Sequence, residues 1–371
     1  MMSKRNVLMG LIFSGVSIFL IGCSEDDSGD SVDNFDRQAM LANWADNIII
    51  PGYQAYVSSL NDLNTSANEF VVDPTVDNLN GLRASWLSAN LSWQAVGFFE
   101  IGKAEEITLI NYTNIYPTNT SDMIATIESG NYDLTSVNKQ DEQGFPAIEY
   151  LIYGVRATDQ EIVDLFLEET TSSLYSTFLT DLTGRLSSLA QIVLNDWENG
   201  YRDAFVNNSG SESTSSVNKL VNDYLFYYEK HLRAGKIGIP AGVFAGSKLP
   251  EKVEGLYSQK SKELYSAGFD AMRDFFNGQS ASGQGESLNS YLEFVNTISD
   301  GEDLSQTINL QFDLAQAKAN LLSDDFRAQV ENENTLMLET YDELQKNVVN
   351  MKVDMFQALN IRVDFVDADG D

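Results

Sequence analysis

The spacing of its apolar residues leaves this chain little choice of fold. Leu79, Leu82, Trp86, Ala89, Trp93 and Val96 advance by threes and fours, which stacks them on one stripe of a helix. Leu174, Phe178, Leu182, Leu186, Leu189, Val193 and Trp197 do the same, as do Met337, Tyr341, Leu344, Val348, Met351 and Met355. Strand-like alternation is hard to find, and only six prolines interrupt 371 residues. The pattern predicts an all-α protein. Its stripes are core packing rather than cofactor contacts, since every helix of a bundle needs one buried stripe.

The amino-terminal residues have a different character. Lys4 and Arg5 precede an apolar run from Val7 to Ile21, the charge-then-apolar order of an export signal and short for a spanning helix. The run closes on Leu20-Ile21-Gly22-Cys23, which resembles the bacterial lipobox, where the signal is cut before a lipidated cysteine. Cys23 is the sole cysteine, so internal disulfides are impossible and the core alone must hold the fold. The expected order is a lipoprotein signal peptide over 1–22, then a lipidated acidic tether over 23–35. Ser24-Glu25-Asp26-Asp27-Ser28-Gly29-Asp30 is polar and solvated. It also resembles the acidic signal that sends some lipoproteins to the outer membrane, facing the periplasm or the cell surface.

Charge narrows the partners. The net charge is −32, and −34 once Lys4 and Arg5 leave with the signal. Such a surface repels nucleic acid and excludes it as a partner, while attracting cations without selectivity. With 43% hydrophobic residues the rest of the chain has material for a large core. The polar run Asn207-Asn208-Ser209-Gly210-Ser211-Glu212-Ser213 divides it into helical halves, 36–206 and 217–371. A second break, rich in Gly, Ser and Gln, spans 277–285.

The most unusual segment is Gly144-Phe145-Pro146-Ala147-Ile148-Glu149-Tyr150-Leu151-Ile152-Tyr153-Gly154. Pro146 suits the first turn of a helix, where its missing N–H is not needed. Glu149 is the one ionisable carboxylate in an apolar run, so it requires a partner, a raised pKa or a metal. The bland reading is a structural glutamate bonded to a helix N-terminus or to a nearby Lys or Arg.

Here the chain resembles the imelysin family of peptidase-like and iron-regulated envelope proteins. The agreeing elements run in order. First come Asn43-Trp44-Ala45 through Ile50-Pro51-Gly52-Tyr53, then the Trp86/Trp93 stripe closing on Phe99-Glu100-Ile101-Gly102. The Gly144–Gly154 segment stands at the place of the family's G-x-H-x-x-E motif. Lys236-Ile237-Gly238-Ile239-Pro240-Ala241-Gly242 follows, then Val253-Glu254-Gly255-Leu256-Tyr257-Ser258 with Ser261, and finally Lys352-Val353-Asp354-Met355 and the acidic carboxyl terminus. The resemblance implies two packed helical-bundle subdomains with the motif near their junction. It also implies a role in iron acquisition, through a metal ion or an iron-uptake receptor.

One departure weighs against peptidase chemistry. Pro146 occupies the motif's histidine position, while Gly144 and Glu149 remain. Proline has no ligating atom and no proton to transfer. His231 is the sole histidine, so no H-E-x-x-H pair exists, and no Cys–His couple forms once Cys23 is acylated. The expected protein is thus a non-enzymatic, lipid-anchored binding component linked to uptake of iron or another cation. Glu149 is the candidate metal ligand, and Gly144, Pro146, Glu100, Lys236, Glu254 and Ser258 are further motif candidates. Two alternatives stand beside it: a divergent metallopeptidase using carboxylates alone, and a surface interaction protein with no ligand site. The terminal Asp367-Ala368-Asp369-Gly370-Asp371 reads as an acidic tail rather than a calcium loop, because its glycine comes too early and no distal glutamate follows.

Overall fold

Helix follows helix through nearly the whole body of the protein. The computed structural model describes residues 34–295, 298–299 and 302–365. The lipobox at Cys23, most of the acidic tether and the Asp367–Asp371 tail lie outside the described residues.

Local chemistry sets the helix boundaries. Helical backbone runs from Arg37 through Pro51 to Val72, opened by Asp36, whose side chain accepts from the Ala39 N–H at 2.9 Å. Asp73-Pro74 breaks it, and Thr75 caps the following helix, Val76–Gln94, by accepting from the Asn78 N–H. A long run then spans Ser172–Asp196, kinks at Asn199 and Gly200, and ends with Arg202–Asn207. The polar stretch after Asn207 is the expected connection to Ser216–Phe226, which Ser215 caps. The later helices are Ser261–Asn277, Leu304–Ala319 and Thr335–Val349, the last continuing to Ala358.

The helices pack in two groups. Ile50–Val72 lies against both Val76–Gln94 and Ser172–Asp196, and Thr335–Val349 lies against Leu304–Ala319 and the Tyr227–Gly238 segment. Ser261–Asn277 packs on Val76–Gln94 and links the groups into one continuous body from Phe35 onward. Each stripe read from the sequence is core: Trp86, Trp93, Trp197 and Met351 are sealed, and Leu174 alone is partly covered. Sealing a large apolar side chain contributes roughly 1.5–3 kcal/mol, so the stripes dominate stability. The break at 277–285 folds into a two-residue-strand hairpin, Gln279–Ser280 against Gly283–Gln284, and Ile298–Ser299 pairs with Glu302–Asp303 in a second. Strand pairing is confined to these turns among the described residues. No helix among the described residues is long and apolar enough to cross a membrane.

Several helices carry widened π-helical turns, at Trp44–Ile49, Tyr150–Gly154, Trp197–Tyr201, Tyr227–Gly238 and Asn350–Met355. Such turns shift the facing side chains by one position and concentrate at functional sites. Two of them bound the site described next.

Candidate functional site

The Gly144 motif is built on a backbone contact that only glycine permits. Gly144 has φ +80°, and a Cβ there would stand 2.2 Å from the Thr113 carbonyl oxygen. The Gly144–Glu149 helix thereby presses against the Leu109–Thr113 turn, and Trp86 Nε1 donates to the Phe145 carbonyl at 3.0 Å. Pro146 lies sealed in this helix's first turn, filling space where a histidine would bring ring nitrogens. At the helix's end Glu149 is 3% exposed.

Glu149 faces the second half of the chain. Its Oε1 accepts the Ser258 N–H at 2.8 Å and the Tyr257 N–H at 3.1 Å. Gly154, one turn on, makes room: a Cβ there would stand 2.3 Å from the Tyr257 ring. The partner is neither a helix N-terminus nor a Lys or Arg, as the bland reading required, but two loop amides. No cation pairs with Glu149 among the described residues. Burial pushes its pKa up to about 7, the Ser258 hydroxyl and the two amides pull it back, and the Glu254 charge raises it further. Ser258 Oγ itself is enclosed and has no hydrogen-bond partner of regular geometry among the described residues. Ser258 also lines a surface cavity of about 620 Å³, with Lys260, Lys262, Glu263 and Asp324 around it.

Glu254 is as deeply sealed as Glu149, at 3% exposure, but it is fully partnered. Lys236, on the π-helical Tyr227–Gly238 segment, pairs with Oε2. Asn114 Nδ2 and Gln94 Nε2 donate to Oε1 at 2.7 and 3.0 Å, and the Ser261 hydroxyl donates to the Glu254 carbonyl at 2.6 Å. Lys236 also donates to Gln94 Oε1 at 2.9 Å, and Gln94 donates to Asn90. Burial draws the Lys236 pKa down, while the Glu254 carboxylate opposes that fall.

The structure thus gathers Gly144, Pro146, Glu149, Lys236, Glu254 and Ser258 at one junction, where the motif helix meets the segment around Glu254 and Ser258. Glu100 stands apart, across Tyr227, whose hydroxyl feels both the Glu254 and the Glu100 charge. His231 packs on Tyr227 and Phe226, with ring centroids 5.0 and 5.8 Å away, and lies on Glu100's side rather than joining Glu149. Burial and the Lys236 charge lower its pKa to about 4. Sequence reasoning missed Asn90, Gln94 and Asn114. The first two carried a signal: polar residues four apart, one position beyond Ala89 and Trp93, beside an otherwise apolar stripe. Asn114 carried none.

Chemically the junction offers one carboxylate without a counter-ion and one closed ion pair. Among the described residues no three His, Cys, Asp or Glu side chains converge as metal ligands. Glu149 with the enclosed Ser258 hydroxyl would supply at most a hard, two-oxygen edge to a cation sharing its remaining sites with water or a partner.

No curated protein matches the chain. Its fold is shared by solved structures, two of them as follows. One is named for an iron-regulated protein A precursor from Parabacteroides distasonis ATCC 8503, with a TM-score of 0.70 and 17% identity over 88% of this chain and 97% of that one. The other is an imelysin-like protein from Psychrobacter arcticum 273-4, with a TM-score of 0.68 and 16% identity over 89% and 97%. The sequence profile described as Imelysin matches residues 49–350, most of the chain. This protein therefore belongs to the imelysin family.

Proposed function

We propose that the protein is a non-enzymatic envelope component of iron or other cation uptake, held on a membrane by lipid at Cys23, with the Glu149 junction as its working site. One observation carries the reading: Glu149 is sealed, has no cation beside it, and is kept ionisable near neutral pH by two amides behind an open cavity. A carboxylate in that state costs the fold stability, which is the mark of a group retained for binding rather than for structure. The acidic surface favours the approach of cations, and the iron-regulated naming of the Parabacteroides protein agrees with the role.

Titration calorimetry with ferrous, ferric, zinc and calcium ions tests this directly. Heat with one of these ions, lost in Glu149→Gln, is the expected result. Equal heat from the variant, or none from the parent with any ion, overturns the assignment of Glu149 as ligand. The anchor is checked separately by metabolic labelling with an alkynyl fatty acid, which Cys23→Ser must abolish.

A second reading has its own support. Glu149 clasps the 257–258 loop to the motif helix, so it also suits a surface interaction protein in which the junction only joins the halves. In that case Glu149→Gln destabilises the protein at every pH and changes no ion binding.

A further inference from the structure

On the far side of Tyr227 from the Glu254 pair lies a cleft of about 150 Å³. Its walls are aromatic rings that touch one another. Phe98 meets Tyr227 with ring centroids 6.0 Å apart, and His231 bridges Tyr227 and Phe226. Gly97 and Ile110 complete its apolar lining, and Glu100, Glu105 and Asp223 are its acidic members.

These acids lack what buried acids need. Asp223 is half-buried and its carboxylate makes no hydrogen bond among the described residues. The one cation acting on it is Lys219, a turn earlier on the same helix. The Glu100 carboxylate takes only backbone N–H contacts, from Ile110 at 3.5 Å and from Leu109. Tyr227 is 4% exposed, and its hydroxyl also makes no hydrogen bond among the described residues. Asp223, without a hydrogen bond, and Glu100, held only by backbone amides, thus border a largely apolar space with no cation beside it but Lys219, and ionising them there costs several kcal/mol unless something neutralises the charge.

The distribution of charge says what that something is. No three carboxylate or imidazole groups among the described residues converge on a point, so the cleft does not form a cage for a bare metal ion. It encloses a volume that holds roughly five waters' share of liquid. A cation with a carbon body fits such a space: the rings take its methylenes and charge, and the acids take its N–H donors.

We propose that the cleft bounded by Phe98, Phe226, Tyr227, Glu100 and Asp223 binds a small primary alkylammonium ion. This site is separate from the Glu149 junction, and neither depends on the other. Occupation is coupled to protons. Burial, with the Glu105 charge, holds Glu100 at about 8, and burial with Glu105, Asp364 and Glu100 holds Asp223 at about 8, Lys219 alone opposing. His231 stays neutral, lowered to about 4, and Tyr227 and Tyr53 are pushed up by burial. Below pH 8 the two acids hold protons that an incoming ammonium must displace. Affinity therefore rises from pH 6 to pH 9, with proton release that calorimetry in buffers of different ionisation enthalpy counts.

The probe is n-butylammonium chloride titrated into the whole soluble chain, with n-butanol and potassium chloride as controls for shape and ionic strength. The expected result is saturable butylammonium binding at least tenfold tighter than butanol. It weakens at least tenfold in the double variant Glu100→Gln/Asp223→Asn and two- to threefold in Glu105→Gln, an exposed position. Butylammonium heat no larger than that of potassium chloride overturns the proposal. So does unchanged affinity in both variants, or tight calcium or zinc binding that the double variant abolishes while butylammonium stays silent. Because Glu149→Gln leaves this site intact, its loss of ion binding and the loss of amine binding report on different hypotheses.

Discussion

Glu149 and Glu254 are both 3% exposed at the same junction, yet the chain treats them in opposite ways. Glu254 receives a lysine and two amide side chains, so its charge is matched inside the protein. Glu149 receives two backbone amides and no cation. The comparison teaches that burial alone does not mark a site. What separates a structural carboxylate from one available for binding is whether the fold itself supplies the counter-charge.

The largest effect expected from breaking this contrast is at Lys236. Lys236→Met leaves Glu254 charged and sealed with only Gln94 and Asn114 as partners, which costs about 3–5 kcal/mol. Urea unfolding measures it. A loss under 1 kcal/mol would mean that water reaches Glu254, and the distinction between the two acids would fall.

Gly144→Ala comes next. The new Cβ meets the Thr113 carbonyl in a left-handed backbone, so the motif helix must move, at a cost of roughly 2–3 kcal/mol. Thermal melting gives the cost. A melting temperature unchanged from the parent's would show that Glu149's placement does not depend on this approach.

The most diagnostic change is Glu149→Gln, whose effect is confined to the upper end of the pH range. With the folded pKa near 7 and an unfolded value near 4.5, the native state holds the extra proton between those limits. The parent therefore loses stability as pH rises from about 5 to 8, by about 3 kcal/mol in total from this group. Glutamine keeps an acceptor for the two amides and carries no charge. Its advantage over the parent should be close to zero at pH 5 and a few kcal/mol at pH 8, from paired urea midpoints. Glu100 and Asp223 contribute to the pH slope of both proteins and cancel in the difference. A variant less stable than the parent at pH 8 would make Glu149 a structural clasp like Glu254.

Much of the fold was legible in the sequence because helix packing repeats locally. An apolar residue every three or four positions has one stable outcome, and Trp86, Phe178 and Leu344 are buried where that rule puts them. Glu149 was legible as an anomaly, a lone acid in an apolar run. Its partners were not, because Tyr257 and Ser258 lie more than a hundred positions away and offer backbone amides, which every residue has. Glu254 and Lys236 were singled out by resemblance without any sign that they pair. Glu100 was grouped with them, and the fold sets it across Tyr227 in a different cleft.

The sequence by itself determined the all-α class, the stripes that form the core, the strongly acidic net charge, and the shortage of thiol and imidazole that limits any ligand chemistry to oxygen and aromatic rings. These follow from composition and from a period of about one helical turn. Only the tertiary structure decided which of three similar acids is neutralised by a lysine, which is held by amides and which faces an aromatic cleft. That decision depends on where distant segments meet, and no local spacing encodes the meeting.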